Sequence, residues 1–73
     1  MILDTKGLRC PMPVLKARKA LKALRGDEIL TVLATDPNSV KDFEAFCEAT
    51  GAELLSSSEA DGVYRFEIRK SEV

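Results

Sequence analysis

The residues best suited to do chemistry lie in one short run, Cys10-Pro11-Met12-Pro13. Proline is favoured at the first position of a helix, because the N–H that it lacks would have no partner within the helix. Pro13 still falls in the first turn, where the same argument holds. The run therefore predicts a helix that begins at Pro11, with Cys10 at or next to its N-cap and its sulfur on a rigid, exposed corner.

The expected surroundings of Cys10 favour its thiolate form. The N-terminus of a helix carries a partial positive charge and unpaired N–H groups, and we expect those of Met12 and Val14 to point at the sulfur. Basic side chains are also close in sequence: Lys6, Arg9 and Lys16. Both effects lower the pKa of a thiol, so we expect a reactive cysteine. The alternative is an ordinary buried cysteine, since cysteine is among the most buried residue types, but the polar loop before it favours exposure.

The composition excludes several kinds of cysteine chemistry. The chain has no histidine, so a Cys–His hydrolase dyad cannot form. Its other cysteine, Cys47, is too far along the chain for a dithiol motif of the thioredoxin type. Two isolated cysteines cannot supply the four ligands of a structural zinc site, and we expect no metal and no cofactor. A lone activated cysteine on an open corner suits the carriage of a group, as a persulfide or as a mixed disulfide.

Cys47 is expected to be a core residue. It shares one face of the second predicted helix with Val40 and Phe43, and a buried free cysteine behaves as a small apolar side chain. The two predicted helices should run roughly parallel, with Cys10 at the start of one and Cys47 near the end of the other. At about 1.5 Å per residue the two cysteines are on the order of 15 Å apart, whereas a disulfide needs Cα atoms within about 7 Å. We therefore expect no disulfide between them.

Six elements are expected to position these residues. Apolar periodicity, capping residues and turn residues predict strands at residues 2–4, 28–35, 52–60 and 63–70 and helices at residues 11–24 and 39–50. Arg25 and Gly26 are suited to end the first helix, and Asp61-Gly62 predicts a hairpin turn. The run Ser56-Ser57-Ser58 suggests an edge position or an irregularity in the third strand.

The order βαβαββ defines the expected fold. It implies right-handed crossovers followed by a terminal hairpin, and the apolar stripes of both helices need a sheet face to cover them. We therefore predict an α+β fold, a two-layer α/β sandwich in which two helices pack on one face of a mixed four-stranded sheet. With 73 residues, the chain is expected to form a single domain, residues 1–73.

The composition also indicates where such a protein would work. Hydrophobic residues make up 45% of the chain and charged residues 32%, which is typical of a globular domain. No apolar run approaches the roughly 20 residues of a membrane span, and the start, Met1-Ile2-Leu3-Asp4, turns acidic too soon for a signal peptide. We expect a small, soluble, cytoplasmic protein with no membrane partner.

The net charge of −1 conceals an asymmetry. Residues 1–26 carry seven basic side chains against one acid, a net charge of +6, whereas the remainder carries −7. Arg9, Lys16 and Lys19 could form a basic platform that guides an acidic protein surface or phosphates to Cys10; the alternative is a solvated helix face. A second hypothesis for the function is therefore a non-catalytic protein- or RNA-binding regulatory module. Because the basic part has no aromatic side chain for bases to stack on, direct nucleic-acid binding is not expected.

The chain resembles the TusA-like (SirA-like) sulfur-carrier family over nearly its whole length. The resemblance rests on these segments: Leu3-Asp4, Gly7-Leu8-Arg9-Cys10-Pro11-Met12-Pro13-Val14, Lys19-Ala20-Leu21, Gly26-Asp27, Thr35-Asp36-Pro37, Phe46-Cys47 and Tyr64-Arg65-Phe66. It implies the same βαβαββ sandwich and a sulfurtransferase role. Cys10 would receive a sulfane sulfur from a donor protein, of the cysteine desulfurase or rhodanese type, and pass it to an acceptor protein. The relay would serve tRNA thiolation, cofactor assembly or sulfur oxidation.

The expected site has Cys10 as its catalytic residue. Around it we expect side chains that stabilise the thiolate or contact partners: Arg9, Pro11, Met12, Pro13, Lys16 and Lys19. The two prolines fix the backbone dihedral φ next to the sulfur, and the cations are expected to act on the thiolate and on an acidic partner.

Overall fold

The computed structural model describes residues 1–24 and 28–70, and these contain the six predicted elements. The elements are the strands β1 (Ile2–Thr5), β2 (Ile29–Ala34), β3 (Glu53–Ala60) and β4 (Val63–Arg69) and the helices α1 (Met12–Ala23) and α2 (Ser39–Thr50). Their order along the chain is βαβαββ, as predicted, and the bounds of α2 agree with the prediction. The expected helix-ending residues Arg25 and Gly26 lie outside the described residues. Within the described part of the chain, no helix is long and apolar enough to cross a membrane.

The sheet has the strand order β1-β2-β4-β3. β1 and β2 are parallel, whereas β4 is antiparallel to both of its neighbours, β2 and β3. β3 therefore runs parallel to β2, and the chain makes two crossovers in the same direction, first through α1 and then through α2. Right-handed crossovers of this kind place both helices on the same face of the sheet. The predicted two-layer α+β sandwich is confirmed.

Alternate residues of the central strands form the core beneath the helices. Fully buried pairs link β2 to β4: Leu30 with Ile68 and Val32 with Phe66. Phe43 of α2 stacks on Phe66, with the ring centroids 4.6 Å apart. α1 covers the rest of this face with three buried side chains: Pro13, Ala17 and Leu21. This packing fixes both helices on the sheet and so sets where their N-termini lie.

β3 forms one edge of the sheet and is irregular where the serine run begins. Its register with β4 shifts between Leu54 and Ser56, which confirms the predicted irregularity. The predicted hairpin is confirmed as well, since Asp61 and Gly62 have φ of 53° and 81°. Positive φ at both central residues is the requirement of a two-residue type I′ turn. This edge lies at the opposite side of the sheet from β1.

Candidate functional site

Two loops meet at the edge of the sheet where β1 and β2 end. Because the two strands are parallel, the β1–α1 loop and the β2–α2 loop leave the sheet at the same edge. Hydrogen bonds join the two sides at three places: from the Thr5 hydroxyl to the Leu33 carbonyl (2.6 Å), from the Gly7 N–H to the Thr35 hydroxyl (2.9 Å), and from the Cys10 N–H to Oδ2 of Asp36 (2.6 Å). The loop that carries Cys10 is therefore held against its neighbour through its own backbone.

α1 begins one residue later than the sequence predicts. Pro11 is the N-cap, after a cis Cys10–Pro11 peptide bond, and Met12 and Pro13 occupy the first two helical positions. The Met12 N–H donates to the carbonyl of Arg9 at 2.8 Å, and no side chain caps the N-terminus of α1. Cys10 therefore lies next to the N-cap, one of the two predicted positions. The prediction that the Met12 N–H points at its sulfur is wrong.

The exposed Cys10 thiol lies beside two carboxylates. A hydrogen bond to Asp42 raises the pKa of Cys10, and lost hydration and the charges of Asp42 and Asp36 raise it further. The predictions that the pKa of Cys10 is lowered and that its thiolate form is favoured are therefore wrong. Both carboxylates come from the acidic part of the chain, after β2 and in the first turn of α2. Across residues 1–24 and 28–70, no group of three or more potential ligands could hold a metal ion.

Asp36 also holds the backbone of the site. Its Oδ1 accepts the N–H of Asn38 at 3.0 Å while its Oδ2 accepts the N–H of Cys10. These two hydrogen bonds, followed by the nearby charge of Arg9, outweigh lost hydration and hold the pKa of Asp36 below its usual value. The carboxylate therefore stays ionised at neutral pH and keeps the Cys10 N–H in place.

Two of the three basic residues expected to act on the sulfur line a depression that does not include Cys10. Lys16 and Lys19 are exposed on the flank of α1 that faces β1, where they line a depression with Met1 and Leu3. Arg9 is exposed and acts on the Asp36 carboxylate. The thiol pKa that these cations were expected to lower is raised instead. Their role in partner binding stays a prediction.

The other predicted site residues divide between the surface and the core. Pro11 lies beside Cys10 in an open groove, and Met12 is 42% exposed. Pro13 lies on the buried face of α1. Its contribution is therefore to the start of the helix and not to direct contact with a partner.

Cys10 separates two open depressions. The first, which we name the α1–α2 groove, has a volume of ≈ 290 Å³ and is lined by Cys10, Pro11, Val14, Asp42, Ala45 and Phe46. The second, of ≈ 390 Å³, lies between the two loops and includes Arg9, Asp36 and Asn38. Cys10 therefore borders both depressions.

Sequence reasoning missed both Asp36 and Asp42. Asp36 could have been found, because it follows β2 directly, and residues after parallel neighbouring strands meet at one edge of the sheet. Asp42 gave no such signal, since an acidic residue in the first turn of a helix is common for its favourable interaction with the helix dipole. Only the packing of α1 beside α2 brings it to the sulfur.

Comparisons with known proteins bear on this site. The family model described as Sulfurtransferase TusA matches residues 1–70. Sulfur carrier protein TusA of Allochromatium vinosum is 52% identical over 69 residues, which cover 94% of this chain and 91% of that protein. Sulfur carrier protein TusA of Pseudomonas entomophila is 43% identical over 68 residues, with coverages of 93% and 85%. The crystal structure of a SirA-like protein from Desulfitobacterium hafniense matches with a TM-score of 0.85 and 33% identity, over 99% of this chain and 100% of that one.

Proposed function

This chain belongs to the sulfurtransferase TusA family, and from that premise we propose that it is a sulfur carrier which accepts one sulfane sulfur on Cys10 as a persulfide. The observation that supports this most directly is an exposed cysteine, fixed through its backbone by Asp36 at the mouth of an open groove. The second cysteine is buried. Cys10 is therefore the thiol that a partner protein can reach.

The proposed reaction is an exchange between sulfur atoms. Cys10 Sγ attacks the terminal sulfur of a donor's cysteine persulfide, the S–S bond of the donor breaks, and its electron pair goes to the donor's own sulfur. Delivery is the same exchange, in which the thiol of an acceptor attacks the terminal sulfur on Cys10. No electrons are gained or lost overall, so the exchange itself needs no cofactor.

The proposed partners are two proteins that act in succession. The donor is of the cysteine desulfurase or rhodanese type, and the acceptor belongs to tRNA thiolation, cofactor assembly or sulfur oxidation, as the family resemblance implies. The proposed setting is the cytoplasm. The open approach to Cys10 from two depressions supports contact with partners of different shape.

The test is intact-mass spectrometry of the protein after incubation with a cysteine desulfurase and cysteine. We expect the mass of one added sulfur, its removal by a thiol reductant, and its location on the proteolytic peptide that contains Cys10. A protein that gains no sulfur would contradict the proposal and favour a non-catalytic binding module. Sulfur located on the peptide that contains Cys47 would contradict the choice of residue.

A further inference from the structure

The α1–α2 groove contains one thiol and one carboxylate among apolar walls. Besides Cys10 and Asp42, it is lined by Pro11, Val14, Ala45 and Phe46. Asp42 is half-buried, and its position is set by the first turn of α2, where its N–H donates to the carbonyl of Asn38 at 3.0 Å. The carboxylate is therefore held beside the sulfur by the packing of the two helices.

The charged groups around Cys10 have different tasks. Asp36, on the β2–α2 loop, is occupied by the N–H groups of Cys10 and Asn38, and Arg9, on the loop of Cys10 itself, acts on Asp36. Asp42, on α2, instead interacts with the thiol, and its hydrogen bond is the main cause of the raised pKa of Cys10. The unloaded protein therefore holds Cys10 as a thiol. Because the thiolate is the nucleophile in sulfur exchange, the proton has to leave before or during attack.

We propose that Asp42 is a catalytic residue of sulfur transfer, which accepts the proton of the Cys10 thiol as Sγ attacks and gives it to the sulfur that leaves. This assignment rests on the proposed function and adds a proton acceptor to it. The thiol and the carboxylate line the same groove and interact through a hydrogen bond, so the carboxylate lies on the side of the thiol where a general base is needed.

The step balances as follows for a donor persulfide R–S–SH. A bond forms between Cys10 Sγ and the terminal sulfur, the S–S bond of the donor breaks, and its electron pair goes to the donor's remaining sulfur. The thiol proton passes to a carboxylate oxygen of Asp42 and then to that donor sulfur. The products are Cys10–S–SH and R–SH. In delivery Cys10 is the leaving sulfur, and Asp42 passes it the proton taken from the acceptor thiol.

The apolar walls of the groove support a direct proton transfer. A partner that covers the groove displaces water from Val14, Ala45 and Phe46, and electrostatic interactions strengthen when water is excluded. The proton of the Cys10 thiol then has fewer routes to solvent, and the carboxylate of Asp42 is a proton acceptor within the same groove.

The experiment compares two reactions of Asp42→Asn with those of the wild type. Alkylation of Cys10 by iodoacetamide depends on the thiolate fraction. Removing the carboxylate lowers the pKa of Cys10, so alkylation at neutral pH should become faster and its pH midpoint should move to lower pH. Sulfur uptake from glutathione persulfide should instead slow by on the order of 100-fold, near the lower end of the range for general acid–base catalysis. A faster alkylation together with a slower sulfur uptake is the signature of a proton acceptor.

The matched control is Glu44→Gln, which removes a carboxylate from an exposed position two residues along the same helix. Positions two apart on a helix do not share a face, so both rates should stay at the wild-type values. Thermal unfolding followed by circular dichroism verifies that both variants are folded.

Two results would overturn the assignment of Asp42. If Asp42→Asn takes up sulfur as fast as the wild type, or faster in step with alkylation, Asp42 only holds the thiol proton and does not transfer it. If both rates of the folded variant fall together, Asp42 orients the sulfur and is not the base. Failure of the proposed function is distinguishable from either result, because the wild-type protein itself would then gain no sulfur.

Discussion

Cys10 and Cys47 both have a pKa above the ordinary thiol value, but for different physical reasons. At Cys10 the main cause is a hydrogen bond to Asp42 at an exposed site. At Cys47 it is burial, since that side chain is 6% exposed and belongs to the core of the domain. The hydrogen bond at Cys10 can be removed by substituting Asp42 or by a partner that binds its carboxylate. The burial of Cys47 is removed only by unfolding. The origin of a raised thiol pKa therefore distinguishes an exposed thiol that a partner can activate from a packing residue.

The largest effect that would sharpen this comparison concerns sulfur uptake. Cys10→Ser should gain no sulfur from a cysteine desulfurase, because a serine hydroxyl does not form a persulfide, whereas Cys47→Ala should gain one sulfur as the wild type does. Intact-mass spectrometry measures both. Sulfur uptake by Cys10→Ser, or a folded Cys47→Ala that gains none, would break the assignment of roles.

Stability should show the reverse pattern, with a smaller effect. Cys47→Ala leaves a small cavity in the core and should lower the free energy of unfolding by about 1 kcal/mol. Cys10→Ser changes an exposed side chain and should alter it by less than about 0.5 kcal/mol. Urea denaturation followed by circular dichroism measures both values. Equal losses of stability would mean that Cys10 also serves as a packing residue.

The smallest effect is expected from the basic flank of α1. Reversing Lys16 and Lys19 to glutamate should leave the alkylation rate of Cys10 and the stability nearly unchanged, because both side chains are exposed and lie towards β1. Sulfur transfer to or from a partner protein should slow at low salt if the basic platform guides an acidic surface.

The same measurement at roughly 0.5 M salt is the control, since long-range attraction is then screened and the difference from the wild type should shrink. A double variant that transfers sulfur at the wild-type rate at low salt would show that this flank is only a solvated helix face.

Local signals explain why the fold could be predicted from the sequence. The βαβαββ order follows from apolar patterns and turn residues, each of which acts within a few positions. Asp61-Gly62 specifies its hairpin, and Gly51 has the left-handed conformation that ends α2. α1 begins one residue later than predicted. There the Met12 N–H donates to the carbonyl of Arg9, a contact that residue types do not reveal.

The electrostatics of the site could not be predicted in the same way. The exposure of Cys10 and the burial of Cys47 were predicted and are confirmed. The sign of the pKa shift at Cys10 was not, because the prediction weighed cations that are near in sequence, such as Lys16. The groups that act on the sulfur, Asp36 and Asp42, reach it only through the packing of parallel strands and helices. The charges that act on Cys10 are therefore set by the fold, and the residues next to it in the sequence do not predict them.

The hydrogen bonds that hold the β1–α1 loop also affect how tightly partners need to bind. Thr5, Gly7 and Cys10 are each tied to β2 or the loop after it, so this backbone is ordered before any partner arrives. Fixing a backbone costs roughly 1–2 kcal/mol per residue in conformational entropy, and here that cost belongs to folding and not to each encounter. A partner can then bind without reshaping the loop. A sulfur carrier has to dissociate from a partner after each transfer, and a preorganised loop allows complexes that are specific and short-lived.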